Sequence, residues 1–257
     1  MSTNYSVTRD QVISSALRKL GVLEIGSVPD AETIANAALV LNLFIKQMAT
    51  EGLKLWTVEE GVLPYTQGQT MYTLGGPGSA YFYNYTDPDK VAVTDKPLKI
   101  IQSFLRNNQD SPPIDIPMMV ISQQEYNILG SKYSTGVTNQ VYYNVRQNSG
   151  DLYVFLTPDQ QTTANYDLHF MYQRPIDDIL TAQGVPEFPN EWFNCLIWNL
   201  ADQLAIEYSV PANYRQEIAA RATAYREQLN GWDVEAASTY FQPNYQMMFQ
   251  GFRGNTL

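Results

Sequence analysis

The chain has few of the residues from which most active sites are built. Its 257 residues include one histidine, His169, and one cysteine, Cys195. A single cysteine excludes an intrachain disulfide, and a single histidine excludes zinc sites that need several imidazoles. His169 falls within an expected strand and Cys195 within an expected helix between apolar neighbours. We interpret both as packing residues rather than as a catalytic pair.

Motifs that hold nucleotides or activate a serine are also absent. The sequence contains neither G-x-x-x-x-G-K-[ST] nor G-x-S-x-G. The glycine-rich stretch at 75–78 precedes no expected helix, and Pro77 removes a backbone donor that a phosphate cradle would use. We therefore expect no nucleotide cofactor.

Basic residues are scarce and unclustered. Acidic residues outnumber basic ones by 26 to 16, which gives a net charge of −10. Clustered Lys and Arg are needed to hold nucleic acid by its phosphates, so we expect no tight DNA binding. A negative surface does suit the wall of a conduit through which DNA slides without sticking.

Pairs of acidic residues are the remaining candidates for catalysis. They occur at Glu59-Glu60, Asp87-Pro88-Asp89 and Asp177-Asp178. Adjacent residues of a strand point to opposite faces, and turn chemistry explains acidic residues in loops. A wall-degrading enzyme using Glu59, Asp87 and Asp177 stays open as an alternative. The expectation is that the chain is not an enzyme and holds no metal or cofactor.

Long hydrophobic runs are missing as well. None approaches the roughly 20 residues of a membrane span, and the polar N-terminus lacks the apolar core of a signal peptide. We expect a protein made in a cytosol, without membrane contact. Only 16% of its residues are charged, where about 25% is usual. A surface whose polar groups are mostly neutral suits contacts between subunits, because amides and tyrosines are easier to desolvate than ions.

Helical patterns occupy both ends of the sequence. Thr8 and Gln11 form a capping box before the first helix, and Asp30 caps the second. Ser122 and Glu125 form another capping box, before a short helix expected within the strand-rich region. The second helix carries a strong apolar stripe that includes Ile34, Ala37, Ala38, Leu41, Phe44, Ile45 and Met48. Two further helices are expected after Asn190, and Gly231 is expected to end the last one.

The region between these helices has strand patterns. We predict an α+β fold, with a four-helix bundle formed from the N- and C-terminal helices and an inserted antiparallel β domain. The predicted boundaries are 1–54 for the N-terminal helices, 55–174 for the β domain, 175–235 for the C-terminal helices and 236–257 for an extended C-terminal arm. A hairpin around residues 66–69 and a loop at 111–117 are expected within the β domain.

The arm is the most informative segment for function. It is rich in aromatic residues, lacks helical or strand periodicity and has a single charge, Arg253. Such a segment either wraps its own domain or docks on another molecule, and its aromatic content favours docking. The expected contact residues are Tyr240, Phe241, Tyr245, Phe249, Phe252 and Arg253.

A second aromatic segment, Tyr81-Phe82-Tyr83-Asn84-Tyr85, has two interpretations. Its rings suit stacking on sugars or holding a fibre, which would make the chain a binding module. Ordinary packing within a strand explains the same residues and is the interpretation we favour.

Several short motifs in order along the chain resemble one family. They include Glu51-Gly52-Leu53-Lys54-Leu55-Trp56, Ile121-Ser122-Gln123-Gln124-Glu125-Tyr126, Tyr172-Gln173-Arg174-Pro175-Ile176-Asp177-Asp178 and Pro186-Glu187-Phe188-Pro189-Asn190-Glu191-Trp192. Over most of its length the chain resembles head-to-tail adaptors of tailed bacteriophages. These are the tail accessory factors of short-tailed phages, also called packaged-DNA stabilisation proteins.

The resemblance implies a structural role at the head–tail junction of a virion. Family members form a homo-oligomeric ring, typically of twelve copies, beneath the portal protein and extend the DNA channel. The arm then contacts the portal, and the β domain receives a distal tail, nozzle or fibre protein. The segment 75–108 is longer here than in shorter family members, and the resemblance gives it no partner.

Overall fold

Long helices lie at both ends of the described chain, with a large sheet between them. The computed structural model describes residues 6–52 and 54–233. Its helices are α1 (Arg9–Lys19), α2 (Ala31–Thr50), α3 (Gln123–Ile128), α4 (Gln160–Asn165), α5 (Phe193–Leu204) and α6 (Ala212–Trp232), with short 3-10 turns at Leu55–Thr57 and Asn190–Trp192. Its strands are β1 (Val58–Pro64), β2 (Met71–Leu74), β3 (Tyr83–Asn84), β4 (Lys99–Asn107), β5 (Ile114–Val120), β6 (Thr135–Gly136), β7 (Gln140–Val145), β8 (Gly150–Phe155), β9 (Thr157–Pro158) and β10 (Tyr166–Gln173).

A curled sheet of eight strands dominates the fold, in the order β2-β8-β7-β5-β4-β10-β1-β3. The fold is α+β, but the expected four-helix bundle with an inserted antiparallel β domain is wrong, because the sheet is the main element. The sheet is also mixed, since β5 and β7 run parallel. Helical periodicity was visible in the sequence, whereas the pairing of distant strands left no local pattern.

Strand pairing departs from the expected neighbours. The predicted hairpin around residues 66–69 is wrong, because β1 pairs with β10 and β3, while β2 pairs with β8. β7 and β8, which are consecutive in the chain, do pair antiparallel, and so do β4 and β5. Turn residues at 66–69 reverse the chain, but they do not decide which strands become neighbours.

The expected loop at 111–117 is largely strand β5. Ile114 to Met118 pair with β4, and the Met119 N–H donates to the carbonyl of Asn139 on the side away from β4. Since Pro117 and Met119 are two residues apart, the imide nitrogen of Pro117 also points away from β4. Proline is tolerated in a strand where its nitrogen needs no partner in the ladder.

The strands of the sheet share an aromatic core. Phe82 lies against Phe170 and Tyr172, with ring centroids 5.6 Å and 5.9 Å away. Gly61 of β1 faces the same rings, and a Cβ there would come within 2.8 Å of Phe170. This close approach explains a glycine in mid-strand, where it otherwise weakens a sheet.

The second core is helical, and α5 lies at its centre. α1, α2 and α6 all pack against α5, and Leu196, Leu200 and Leu204 are fully buried there. Within the described residues no helix combines the length and the apolar character that a bilayer crossing needs. Arg174 links this core to the sheet, because it bonds Glu59 of β1 and Glu187 of the segment leading to α5.

Helix starts follow the local sequence closely. The capping box of Thr8 and Gln11 is confirmed, as are the Asp30 cap and the box formed by Ser122 and Glu125. In each, a side-chain oxygen accepts from a backbone N–H that the first turn leaves unpaired. The end of α6 was predicted wrongly, since the helix continues through Gly231 to Trp232.

Candidate interaction surfaces

The outer face of α2 displays two leucines to solvent. Leu39 and Leu43 lie one turn apart and are 60% and 62% exposed. The inner face of the same helix packs into the helical core, where Leu41 and Ile45 are completely buried. We call Leu39 and Leu43 the α2 ridge.

Polar neighbours of the α2 ridge are held in place by bonds within the chain. Lys46 donates to the carbonyl of Ile176 at 2.8 Å and pairs with Asp178 at 3.0 Å. At the other end, the Asn36 amide donates to the carboxylate of Glu207 at 2.6 Å. These contacts flank the two leucines without covering them.

A second apolar surface lies between α5 and α6. It is a groove of about 280 Å³, lined by Glu191, Asn194, Tyr225, Gln228, Leu229 and Trp232. The Trp232 side chain at its end is 83% exposed. We call these six residues the α6 groove.

The groove-bearing helix α6 buries only a narrow apolar stripe. Only Ile218, Ala222 and Leu229 are buried along its 21 residues. Hydrogen bonds also attach α6 to its neighbours. Arg226 donates to the side-chain carbonyl of Asn199 at 2.8 Å. Lys54 also donates to Asn230 at 2.6 Å. The position of the α6 groove therefore depends on a small number of side chains.

The α6 groove adjoins a second, more polar pocket on α5. Asn194 lines both the α6 groove and a larger polar pocket of about 630 Å³ beside α1, so both open on one side of α5. Lys19 of α1 and Arg221 of α6 lie over the Trp198 ring on this side. α2 also packs on α5, and its exposed Leu39 and Leu43 line neither of these two pockets.

The aromatic segment at 81–85 divides between the two faces of the sheet. Phe82 is fully buried, whereas Tyr81 and Tyr85 are half exposed. The Arg106 guanidinium lies 4.9 Å from the Tyr85 ring centroid, and Tyr81 donates to the carbonyl of Lys90 at 2.7 Å. Phe82 is thus a packing residue, whereas part of the Tyr81 and Tyr85 side chains stays accessible to a partner.

His169 is part of a bonded network on the outer face of the sheet. Its Nδ1 is 2.7 Å from Glu60 Oε1, and its ring stacks on Phe104. Burial lowers the pKa of His169 below its ordinary value; the bond to Glu60 raises it and Arg106 lowers it further. Arg106 forms a bidentate pair with Asp115 and holds the pKa of that carboxyl below its usual range. With 3% of His169 exposed, the imidazole is enclosed rather than presented to a substrate.

The candidate catalytic carboxylates are not brought together. Glu59 bonds Arg174 and Tyr172, while Glu60 bonds His169, so the two neighbours do point to opposite faces. Asp87 accepts the backbone N–H groups of residues 89 and 91, which is turn chemistry. Asp177 lies in the segment before α5, beside a separate surface pocket.

Cys195 lies in the helical core. It is fully buried, and the Asn199 amide donates to its carbonyl at 2.8 Å. Burial raises the pKa of the thiol to about 11, so it is protonated at neutral pH. Within residues 6–52 and 54–233, no three His, Cys, Asp or Glu side chains form a group suited to a metal ion.

The predicted contact residues of the arm lie outside the described residues. These are Tyr240, Phe241, Tyr245, Phe249, Phe252 and Arg253. The last residue of the α6 groove is Trp232, and the described part of the chain ends one residue later, at residue 233.

The sequence interpretation missed Leu39, Leu43 and Trp232 as surface residues. A signal for the first two was present, since residues 37–41 and 43–45 are all apolar and therefore place apolar side chains on both the inner and the outer side of the middle of α2. Apolar residues outside the buried stripe of a helix indicate a second contact. Trp232 was missed because Gly231 was taken as the end of the helix.

Comparisons with known proteins leave the chain without an assigned family. No protein-family model matches it, and no curated protein matches it.

Proposed function

We propose that this chain is a structural head-to-tail adaptor of a tailed-phage virion. In this role it forms a ring under the portal protein and extends the DNA channel toward a distal tail, nozzle or fibre protein. The motifs that resemble the adaptor family support the proposal, as do the exposed apolar surfaces of the helical part. The ring of twelve copies follows from the resemblance alone.

The α2 ridge is the observation that carries the proposal. About 60% of each leucine is exposed in the isolated chain. Covering both by a partner would contribute about 3 kcal/mol. An assembly component gains this stabilisation at every subunit contact, whereas an isolated protein gains nothing from such a surface.

Charge and the arm are consistent with the same role. A net charge of −10 without basic clusters suits a channel wall that DNA passes without sequence-specific binding. The arm begins a few residues after α6 in the sequence and carries five aromatic anchors for the portal. The proposal assigns the chain no catalytic step, cofactor or membrane contact, and its place is the head–tail junction.

The portal contact is tested with the full-length chain. Tyr240, Phe241, Phe249 and Phe252 are changed together to serine, and binding to cognate portal rings is measured by co-sedimentation. Four anchors at somewhat more than 1 kcal/mol each predict binding about 1,000-fold weaker. Tyr133→Ser, at an exposed tyrosine of the sheet region, is the matched control and should bind as the wild type does.

Two results would count against the proposal. Unchanged portal binding by the fourfold variant, with an unchanged melting curve, would remove the arm from the contact. Turnover of peptidoglycan that is lost when Glu59, Asp87 or Asp177 is replaced would instead favour the wall-degrading enzyme.

A further inference from the structure

We infer that the α6 groove receives Tyr240 and Phe241 from the arm of the same chain. The contact shelters the first two rings of the arm until a partner binds them. It goes beyond the proposed function, and only the release of the rings by the portal rests on that proposal.

The α6 groove has the size and the lining that suit aromatic side chains. Its volume is about 280 Å³, which is below the roughly 300–1,000 Å³ of sites that enclose whole small molecules. Tyr225, Leu229 and Trp232 lie on one face of α6 and give the groove an apolar side. Grooves of this kind on helices bind the side chains of a peptide segment.

The place where the described chain ends indicates the occupant. The described residues end at Asp233, next to Trp232 at the end of the groove. Asp233 is held there, because its backbone N–H donates to the carbonyl of Leu229 at 2.9 Å and its carboxylate accepts the N–H of Leu55 at 3.3 Å. Residues 234–257, which include the arm, therefore begin beside the groove.

The chain between Asp233 and the first two rings is long enough to turn back along α6. Tyr240 is seven residues after Asp233, and an extended chain of that length spans about 23 Å. The groove runs from Trp232 back to Tyr225, about 10 Å at the rise of an α-helix. Tyr240 and Phe241 have the shortest connection among the rings of the arm, and effective concentration falls as a connection grows longer than its span.

Shelter of these rings has a physical advantage before assembly. The arm combines five aromatic rings with a single charge. Apolar segments with so little charge aggregate when they are exposed. A groove on the same chain is available to the rings at every protein concentration, so the contact opposes aggregation until the partner arrives.

Hydroxyl-radical footprinting of the full-length chain, read by mass spectrometry, measures the contact from both sides. Aromatic side chains are oxidised where solvent reaches them. With about 90% of the chains closed, Tyr240→Ser with Phe241→Ser should raise the oxidation of Trp232 about fivefold. Trp232→Glu should raise the oxidation of Tyr240 and Phe241 by a similar factor. Trp232 is 83% exposed in the described chain, so its replacement is not expected to change folding.

Each variant has a matched control. Phe249→Ser with Phe252→Ser changes two other rings of the arm and should leave the oxidation of Trp232 at the wild-type level. Ile128→Glu, at an exposed apolar residue of α3, should leave the oxidation of the two arm rings unchanged.

Two footprinting results would overturn the inference. The first is wild-type oxidation of Trp232 in the variant that lacks the rings of Tyr240 and Phe241. The second is protection that disappears on dilution, because the rings would then come from another copy of the chain.

Binding to cognate portal rings tests the release. If the arm must leave the groove first, the apparent affinity of the wild type is reduced by the fraction of open chains. Trp232→Glu should therefore bind the portal up to about tenfold more tightly than the wild type, and Ile128→Glu should bind as the wild type does. Unchanged or weaker binding by Trp232→Glu would overturn the inferred release.

The outcomes distinguish this inference from the proposed function. Protected rings without portal binding by any variant would support the contact within the chain and count against the adaptor role. Tight portal binding without protection of Trp232 would overturn the inference and leave the adaptor role standing.

Discussion

Replacing Arg226 by methionine is expected to loosen α6 from the helical core. Methionine keeps most of the unbranched stem and removes the guanidinium, so the change isolates its polar contacts. Arg226 donates to Asn199 of α5 at 2.8 Å, lies 3.4 Å from Glu51 and sits over the Phe44 ring at 5.4 Å. It therefore joins α6 to both α5 and the end of α2.

The three contacts determine the size of the effect. The charge-assisted bond to Asn199 contributes about 2 kcal/mol, because the amide oxygen is left buried without that donor. The pair with Glu51 is partly exposed and contributes about 0.5 kcal/mol, and the contact with Phe44 adds a similar amount. We expect the free energy of unfolding to fall by about 3 kcal/mol.

Urea unfolding followed by circular dichroism measures this loss. Arg215→Met, an exposed position on the same helix, is the control and should change stability by less than about 0.5 kcal/mol. A double-mutant cycle with Asn199→Ala should give a coupling of about 1–2 kcal/mol. Hydrogen exchange should show faster opening of α6, which also carries the α6 groove.

The reasoning would be refuted by a loss under about 0.5 kcal/mol for Arg226→Met, or by no coupling to Asn199. Either result would mean that the apolar stripe of Ile218, Ala222 and Leu229 holds α6 by itself.

Two further predictions concern the sheet. Burial lowers the pKa of His169 below 6.5, so the unfolded chain binds a proton that the folded chain does not. The free energy of unfolding should therefore fall as the pH drops below about 6.5, by up to about 1.4 kcal/mol per pH unit. When His169→Gln is denatured at pH values between 5 and 8, its free energy of unfolding should not show this dependence on pH. A Cβ at Gly150 would lie 2.0 Å from the Tyr143 hydroxyl oxygen, so Gly150→Ala should lower stability by about 3 kcal/mol in thermal melts. Gly130→Ala, where a Cβ meets nothing within 4 Å, should have little effect, and equal melting of the two variants would contradict this account.

Local elements were predictable where their causes are local. The capping boxes at Thr8 and Ser122 and the cap at Asp30 lie within three residues of the N–H groups that they bind. The buried stripe of α2 follows from spacing of three and four residues. Neither depends on the rest of the molecule, and both were correctly predicted.

The surfaces were harder to predict, because the same apolar residue can be core or contact. Leu39 and Leu41 are two positions apart on α2 and are chemically identical, yet one is 60% exposed and the other is fully buried. The sequence records that both are apolar. Which of them meets α5 depends on how α2 is rotated against the other helices.

The amino-acid sequence by itself determined the helix starts, the apolar stripes and the acidic, histidine-poor composition. Only the tertiary structure decided the order of the eight strands, the parallel pairing of β5 with β7 and the exposure of the α2 ridge. The physical reason is range. Caps and helical stripes come from contacts within a few residues, whereas strand order and burial come from contacts between distant segments, whose partners are chosen by packing of the whole chain.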